Sequence, residues 1–198
     1  MKSQQKDEPQ SNKKLLFGLV LFDSKEKSQI EQAIGSILKI NYPADKLKII
    51  LCSYLSAEKS LNNYVHHANV LLEKFRHTRL LMNHQLEKEQ DVDHNAFSIC
   101  SHANYLVKMN HDEKIQPDFF NRVCDSYHKP RISKTGNRSY EVDEASKNID
   151  LIISQGDVTA IPRRMVSKNY LYFNSYDKMS QYLIDQSDSS NYLRLNEK

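Results

Sequence analysis

Asn110-His111-Asp112-Glu113 gathers amide and carboxylate oxygens directly after a short apolar run, Tyr105 to Met109. The run reads as a buried strand, and a helix is expected from Pro117, because proline suits a first helical turn. A strand that ends in oxygen donors holds them at a sheet edge, where open α/β sheets bind ligands. Oxygen donors there suit a hard divalent cation carrying a diphosphate. The same residues also suit a polar strand-to-helix turn, with Asp112 or Glu113 near a helix N-terminus. Asp177 is a second carboxylate near the end of the chain, placed to cap the helix it begins.

The elements that must position these groups follow from apolar patterning. Leu15 to Phe22 is a continuous apolar run, as in a strand buried on both faces. Ile30, Ala33, Ile34, Ile37 and Leu38 fall at helical spacing, and Pro43 ends that segment by disfavouring helical geometry at Tyr42. A strand over Leu47 to Cys52, a helix through Leu61, Val65, Ala68, Leu72 and Phe75, and a strand over Arg79 to Met82 come next. A helix over His94 to His102 feeds the strand at Tyr105. Strand and helix thus alternate four times, which predicts an α/β fold with a mostly parallel central sheet and helices on both faces. Residues 129–148 lack periodicity and read as a long loop. Leu151 to Ser154 and Val158 to Pro162 read as short strands, and Asp177 to Ile184 as an amphipathic helix. These boundaries divide the chain into a disordered polar tail over 1–13, one domain over 14–186, and a polar tail over 187–198.

Composition excludes several classes. The 198 residues are 39% hydrophobic and 27% charged, an ordinary globular balance. No apolar run approaches the roughly 20 residues of a membrane span. Met1 to Lys14 has no apolar core, which argues against a signal peptide. Cys52, Cys100 and Cys124 are widely spaced among apolar neighbours and read as buried free thiols, with cytoplasm the expected compartment. A net charge of +3 is too small to imply nucleic acid by itself, although Lys129, Arg131, Lys134 and Arg138, or Arg163-Arg164 with Lys168, could face phosphates. The four glycines form neither a Walker motif nor a dinucleotide fingerprint. Asp91-Val-Asp-His-Asn95 lacks the glycine and closing glutamate of a calcium loop, and His66-His67 has no partner at zinc spacing.

The order of these pieces resembles the family 2 glycosyltransferases, whose nucleotide-sugar-binding domain has the GT-A fold. In that family the first strand ends in a Tyr-Asn or similar pair, here Phe22-Asp23. The next helix often carries Ala-x-x-Ser-Ile-Leu, here Ala33 to Leu38. The Asp-x-Asp motif falls on Asn110-His111-Asp112, and Pro-Asp-Phe on Pro117 to Phe119. Arg163-Arg164 resembles the segment after the acceptor-side strand. Tyr176-Asp177 stands where the family has Glu-Asp, whose second residue is the catalytic base. The resemblance spans roughly residues 15 to 185 and implies a GT-A-like domain binding a nucleotide-sugar donor. Donor contacts would come from Phe22, Asp23, Ser53, Arg163 and Arg164, and the base would be Asp177. Mn²⁺ or Mg²⁺ would be held by Asp112, Asn110 and Glu113. The acceptor is not readable.

Two departures bear on activity. Asn110 replaces a carboxylate with a neutral, weaker metal ligand. Cys52-Ser53-Tyr54 stands where the family usually places an aspartate for the uracil. The residues therefore admit an active glycosyltransferase or an inactive module of the same fold kept for binding or structure. A nucleotidyltransferase is a third reading, disfavoured by Pro117-Asp-Phe-Phe and Tyr176-Asp177.

Overall fold

The computed structural model of the chain describes residues 14–22, 27–53, 58–82, 89–128, 152–155, 158–166, 176–187 and 192–195. The polar tail 1–13, the basic segment around 129–138, Asp23 and Tyr54 lie outside them.

Strand β1 (Phe17–Phe22) is the hub. Every residue in it is buried, as its unbroken apolar run requires. Helix α1 (Lys27–Leu38) leads to a short 3-10 turn (Ala44–Lys46) and β2 (Leu47–Ser53). Helix α2 (Glu58–Lys74) and β3 (Thr78–Met82) repeat the unit. Helix α3 (Glu89–Ile99) precedes β4 (Tyr105–Met109), and α4 (Phe119–His128) follows it. The later elements are β5 (Ile152–Gln155), β6 (Val158–Pro162), a helical turn over 163–166, α5 (Tyr176–Asp185) and β7 (Tyr192–Arg194).

The strands form one seven-stranded sheet in the order β3-β2-β1-β4-β6-β5-β7. Strands β1 to β4 are parallel, and β6 runs against β4 and β5. β7 is parallel to β5. The chain steps outward from β1 to β3 and then returns across β1 to lay down β4. A single crossover hand sends the returning helix to the opposite face. Accordingly Phe17, Leu19, Leu21, Tyr105 and Val107 pack with α1, α2 and α4. Val20, Phe22 and Leu106 pack instead with α3 and α5 through Ala96, Phe97, Tyr176 and Met179. The α/β architecture is the expected one.

Three expectations need adjustment. The helix expected from Pro117 starts at Phe119, after a turn closed by the Phe119 N–H donating to Gln116 O at 3.1 Å. The helix expected over His94 to His102 begins earlier and ends at Ile99. The stretch after Gln186 is not all tail. Tyr192–Arg194 pairs with β5, the Leu195 N–H donates to Ser154 O at 2.8 Å, and Leu195 is buried. Three residues are too few to show a period of two, so this strand carried no sequence signal.

All three cysteines are buried free thiols. Burial pushes the Cys100 thiol up to about 11. Among the described residues, no helix is long and apolar enough to cross a membrane.

Candidate functional site

Strand order reverses between β1 and β4, whose carboxyl ends lie side by side, while the helices that follow the two strands, α1 and α4, pack on the same face. The carboxyl edge at such a reversal, a topological switch point, is the usual ligand position in an open α/β sheet. Phe22 closes β1 there and Asn110 follows β4. Ser53 ends β2 at the same edge, one residue beyond the Phe22–Cys52 pairing.

Asn110 and Glu113 are brought together as a hydrogen-bonded pair. The Asn110 backbone N–H donates to Glu113 Oε2 at 2.8 Å, and its side-chain Nδ2 donates to Oε1 at 2.9 Å. The Glu113 N–H returns a bond to Asn110 O at 3.1 Å. This closed turn uses both oxygens of the Glu113 carboxylate. Asp112 is exposed beside it. The following segment is tied to α1, where Ser36 Oγ accepts from the Ile115 N–H at 3.2 Å and donates to Ala33 O at 2.7 Å. Ser36, one of the residues carrying the resemblance, thus steadies the loop after the strand end.

On the α3/α5 side of the sheet, Lys108 of β4 lies in an otherwise apolar strand. Its ammonium donates to Asp177 Oδ2 at 2.8 Å and sits 4.7 Å from the centroid of the Phe22 ring. The Lys108 side chain is 3% exposed and that of Asp177 is 58% exposed, so the ion pair has one buried and one open end. Tyr176 fixes the start of α5 above it. Its hydroxyl is 3.2 Å from Leu106 O, to which it donates, and its ring stacks on Phe97 at 4.8 Å. Asp177 is therefore held against Lys108, near the carboxyl end of β4.

Lys108 was not foreseen. A lysine within an apolar run reads as a strand residue facing solvent, and its partner lies 69 positions away. The alternation along β4 gave the only available signal, since it puts Lys108 on the same face as Leu106.

Arg163 and Arg164 sit elsewhere. The Arg163 N–H donates to Asn104 O at 3.0 Å, and Tyr105 pairs with Pro162. Both arginines thus follow β6 at the amino end of β4, roughly 20 Å along the strand from Asn110. A cavity of about 250 Å³ also lies at that far edge, lined in part by Phe17, Lys48, Ile99, Cys100 and His102. It is smaller than the usual ligand pocket of at least about 300 Å³.

Among the described residues no three His, Cys, Asp or Glu side chains converge as a metal cage. With Glu113 engaged by Asn110, the remaining oxygens at the strand end are the Asp112 carboxylate and the Asn110 amide oxygen. That pair fits a cation whose other ligands are phosphate oxygens and water, because Mg²⁺-type sites need only one or two carboxylates.

By sequence the chain matches no protein-family model and no curated protein. Its structure does resemble solved ones. The mannosyltransferase PcManGT from Pyrobaculum calidifontis, in complex with GDP-Man and Mn²⁺, superposes with a TM-score of 0.64 at 12% identity, covering 93% of this chain and 55% of that one. S. aureus TarS 1-349 gives 0.60 at 13% identity, covering 93% and 59%. The same TarS fragment with UDP-GlcNAc gives 0.53 at 14% identity, covering 93% and 60%. The fold is that of GT-A-type glycosyltransferases. This chain spans somewhat over half the length of those three chains.

Proposed function

We propose that the chain is a glycosyltransferase that moves a sugar from a nucleoside diphosphate to an acceptor hydroxyl. The observation that carries this reading is Asp177. A half-open carboxylate is bonded to Lys108, two residues before Asn110 in the chain, and that ammonium lies over Phe22 at the end of β1. There it can take the proton of an acceptor hydroxyl as that hydroxyl attacks the anomeric carbon. Displacement by one base inverts that centre. Phe22 and Ser53 border the donor, and Asp112 with the Asn110 amide oxygen holds Mn²⁺ or Mg²⁺. The cation, when bound, neutralises charge on the departing diphosphate. Glu113 orients Asn110.

Release of nucleoside diphosphate from a panel of GDP- and UDP-sugars, with Mn²⁺ and simple sugar acceptors, tests the proposal. Asp177→Asn keeps the shape and removes the basicity. Turnover should fall by about a hundredfold or more, the usual scale for losing a general base. The comparison belongs at a temperature where circular dichroism shows the variant folded. Equal turnover would remove Asp177 from the chemistry.

The locked Asn110–Glu113 pair favours a second reading, an inactive module that binds nucleotide sugars. Donor binding with no turnover across the panel would select it.

A further inference from the structure

The cavity of about 250 Å³ lies at the amino edge of the sheet, away from Asp112 and Asp177. The starts of β1 and β2, the turn before β3 and the turn between α3 and β4 enclose it. Its walls are mostly apolar, from Leu16, Phe17, Leu47, Ile99 and Ala103, with Cys100 on the buried side. Leu16 is 37% exposed, an apolar surface that an occupant of the cavity would cover. Lys48 lines the same wall, and its ammonium donates to Ile99 O at 2.7 Å. That carbonyl takes one of three N–H donors and leaves the charge in place. Asp45, which also lines the cavity, pairs with Lys46 at 3.4 Å. Among the described residues no carboxylate pairs with Lys48. Burial pushes the Cys100 thiol up to about 11 while the Lys48 charge draws it back, which sets that charge close to the inner wall. His77 and His102 stand exposed around the cavity and add N–H donors.

These features select a class of ligand. A half-buried cation against apolar walls is costly until an anion joins it. Inorganic phosphate would lose hydration on those walls and gain little from them. The volume equals that of roughly eight waters, too small for a nucleotide sugar and enough for about ten non-hydrogen atoms. We propose that the cavity binds a small carboxylate with a hydrocarbon body of about six to eight carbons. The body lies against Leu16, Phe17 and Ala103, and the carboxylate sits on the Lys48 ammonium. This site is independent of the nucleotide-sugar reading, since it shares no residue with it and lies at the opposite edge of the sheet.

Octanoate is the probe, titrated into the full chain by calorimetry below its micelle concentration. Octanol supplies the body without the charge, and acetate the charge without the body. Octanoate should bind at one site with a Kd of roughly 0.1–1 mM, the scale for about ten non-hydrogen atoms. Octanol should bind at least about tenfold more weakly, and acetate should show no saturable binding. Lys48→Met keeps most of the side chain's packing and should weaken octanoate by about tenfold or more while leaving octanol unchanged. Ala103→Leu fills the cavity and should weaken both. Leu16→Asp alters an exposed side chain, so it keeps the test open if Ala103→Leu fails to fold, and its charge should repel octanoate. No saturable octanoate binding by the parent overturns the proposal, as does octanol or acetate binding as tightly as octanoate. A Lys48→Met protein that is folded by circular dichroism and binds octanoate like the parent removes the anion site. Undiminished octanoate binding by a folded Ala103→Leu or Leu16→Asp protein places the ligand elsewhere and overturns it as well.

Discussion

At the residue scale the informative contacts are between polar side chains in neighbouring turns and strands. Asn110 is a donor toward Glu113 through both its backbone and its side chain. A second carboxylate at position 110 would reverse one of those contacts. Asn110→Asp would set two carboxylates about 3 Å apart, an arrangement in which one resists ionisation or both move away. We expect Asn110→Asp to lose about 1–2 kcal/mol of stability in EDTA, for the lost bond and the new repulsion. Mn²⁺ should restore the loss, because a cation between two carboxylates turns repulsion into ligation. Thermal scans of parent and variant, with EDTA or Mn²⁺, check this. A Mn²⁺ response no larger than the parent's would place the metal away from this turn. The sequence displayed these oxygens and their place at a strand end, but not their mutual engagement. Asx-type turns and open metal ligands draw on the same residue types at the same spacing. Lys108 was illegible for a different reason: its meaning comes from α5, which only the fold brings near.

At the element scale the amphipathic and apolar runs told most of the story. Strands β1, β2 and β4 are buried apolar runs, and α1 carries its apolar face at the expected positions. Sequence could not show how closely α3 approaches the sheet. Gly18 of β1 sits under the end of that helix. A Cβ built there would meet Cys100 Cβ at 2.6 Å, Cys100 Sγ at 2.7 Å and Leu106 Cδ2 at 3.0 Å. The same helix end is held down by Lys48, whose ammonium donates to Ile99 O at 2.7 Å. Gly18→Ala therefore forces α3 off the sheet and should cost about 1–3 kcal/mol, as overpacking does. Adding Cys100→Ala should recover little, since the nearest atom is the Cβ that alanine keeps. Urea unfolding of the single and double variants measures both. A Gly18→Ala protein as stable as the parent would mean that the helix lifts at no cost. The four glycines gave no hint of this, because a glycine for close packing looks like any other within a strand.

At the scale of the whole molecule, chains only 12–14% identical share this fold, because the order of buried runs and crossovers suffices to specify it. The two ends of the chain then make opposite demands on stability. Residues 1–13 offer no apolar side chain beyond Met1, so removing them should leave the melting temperature within about 2 °C. Residues 187–198 look equally polar but include β7, which covers the edge of β5. Tyr192 OH lies 2.6 Å from Ser154 Oγ, and Leu195 joins the apolar cluster that holds Phe17 and Phe120. Burying one leucine stabilises by roughly 2 kcal/mol, and the ladder and hydroxyl bonds add about 1 more. For a domain of this size each kcal/mol moves the melting temperature by about 2–4 °C. A chain ending at Gln186 should therefore melt roughly 5–10 °C lower and expose β5 as a sticky edge, visible as concentration-dependent association in light scattering. Unchanged melting after this truncation would show that β7 is not docked in solution, and the sheet would then end at β5.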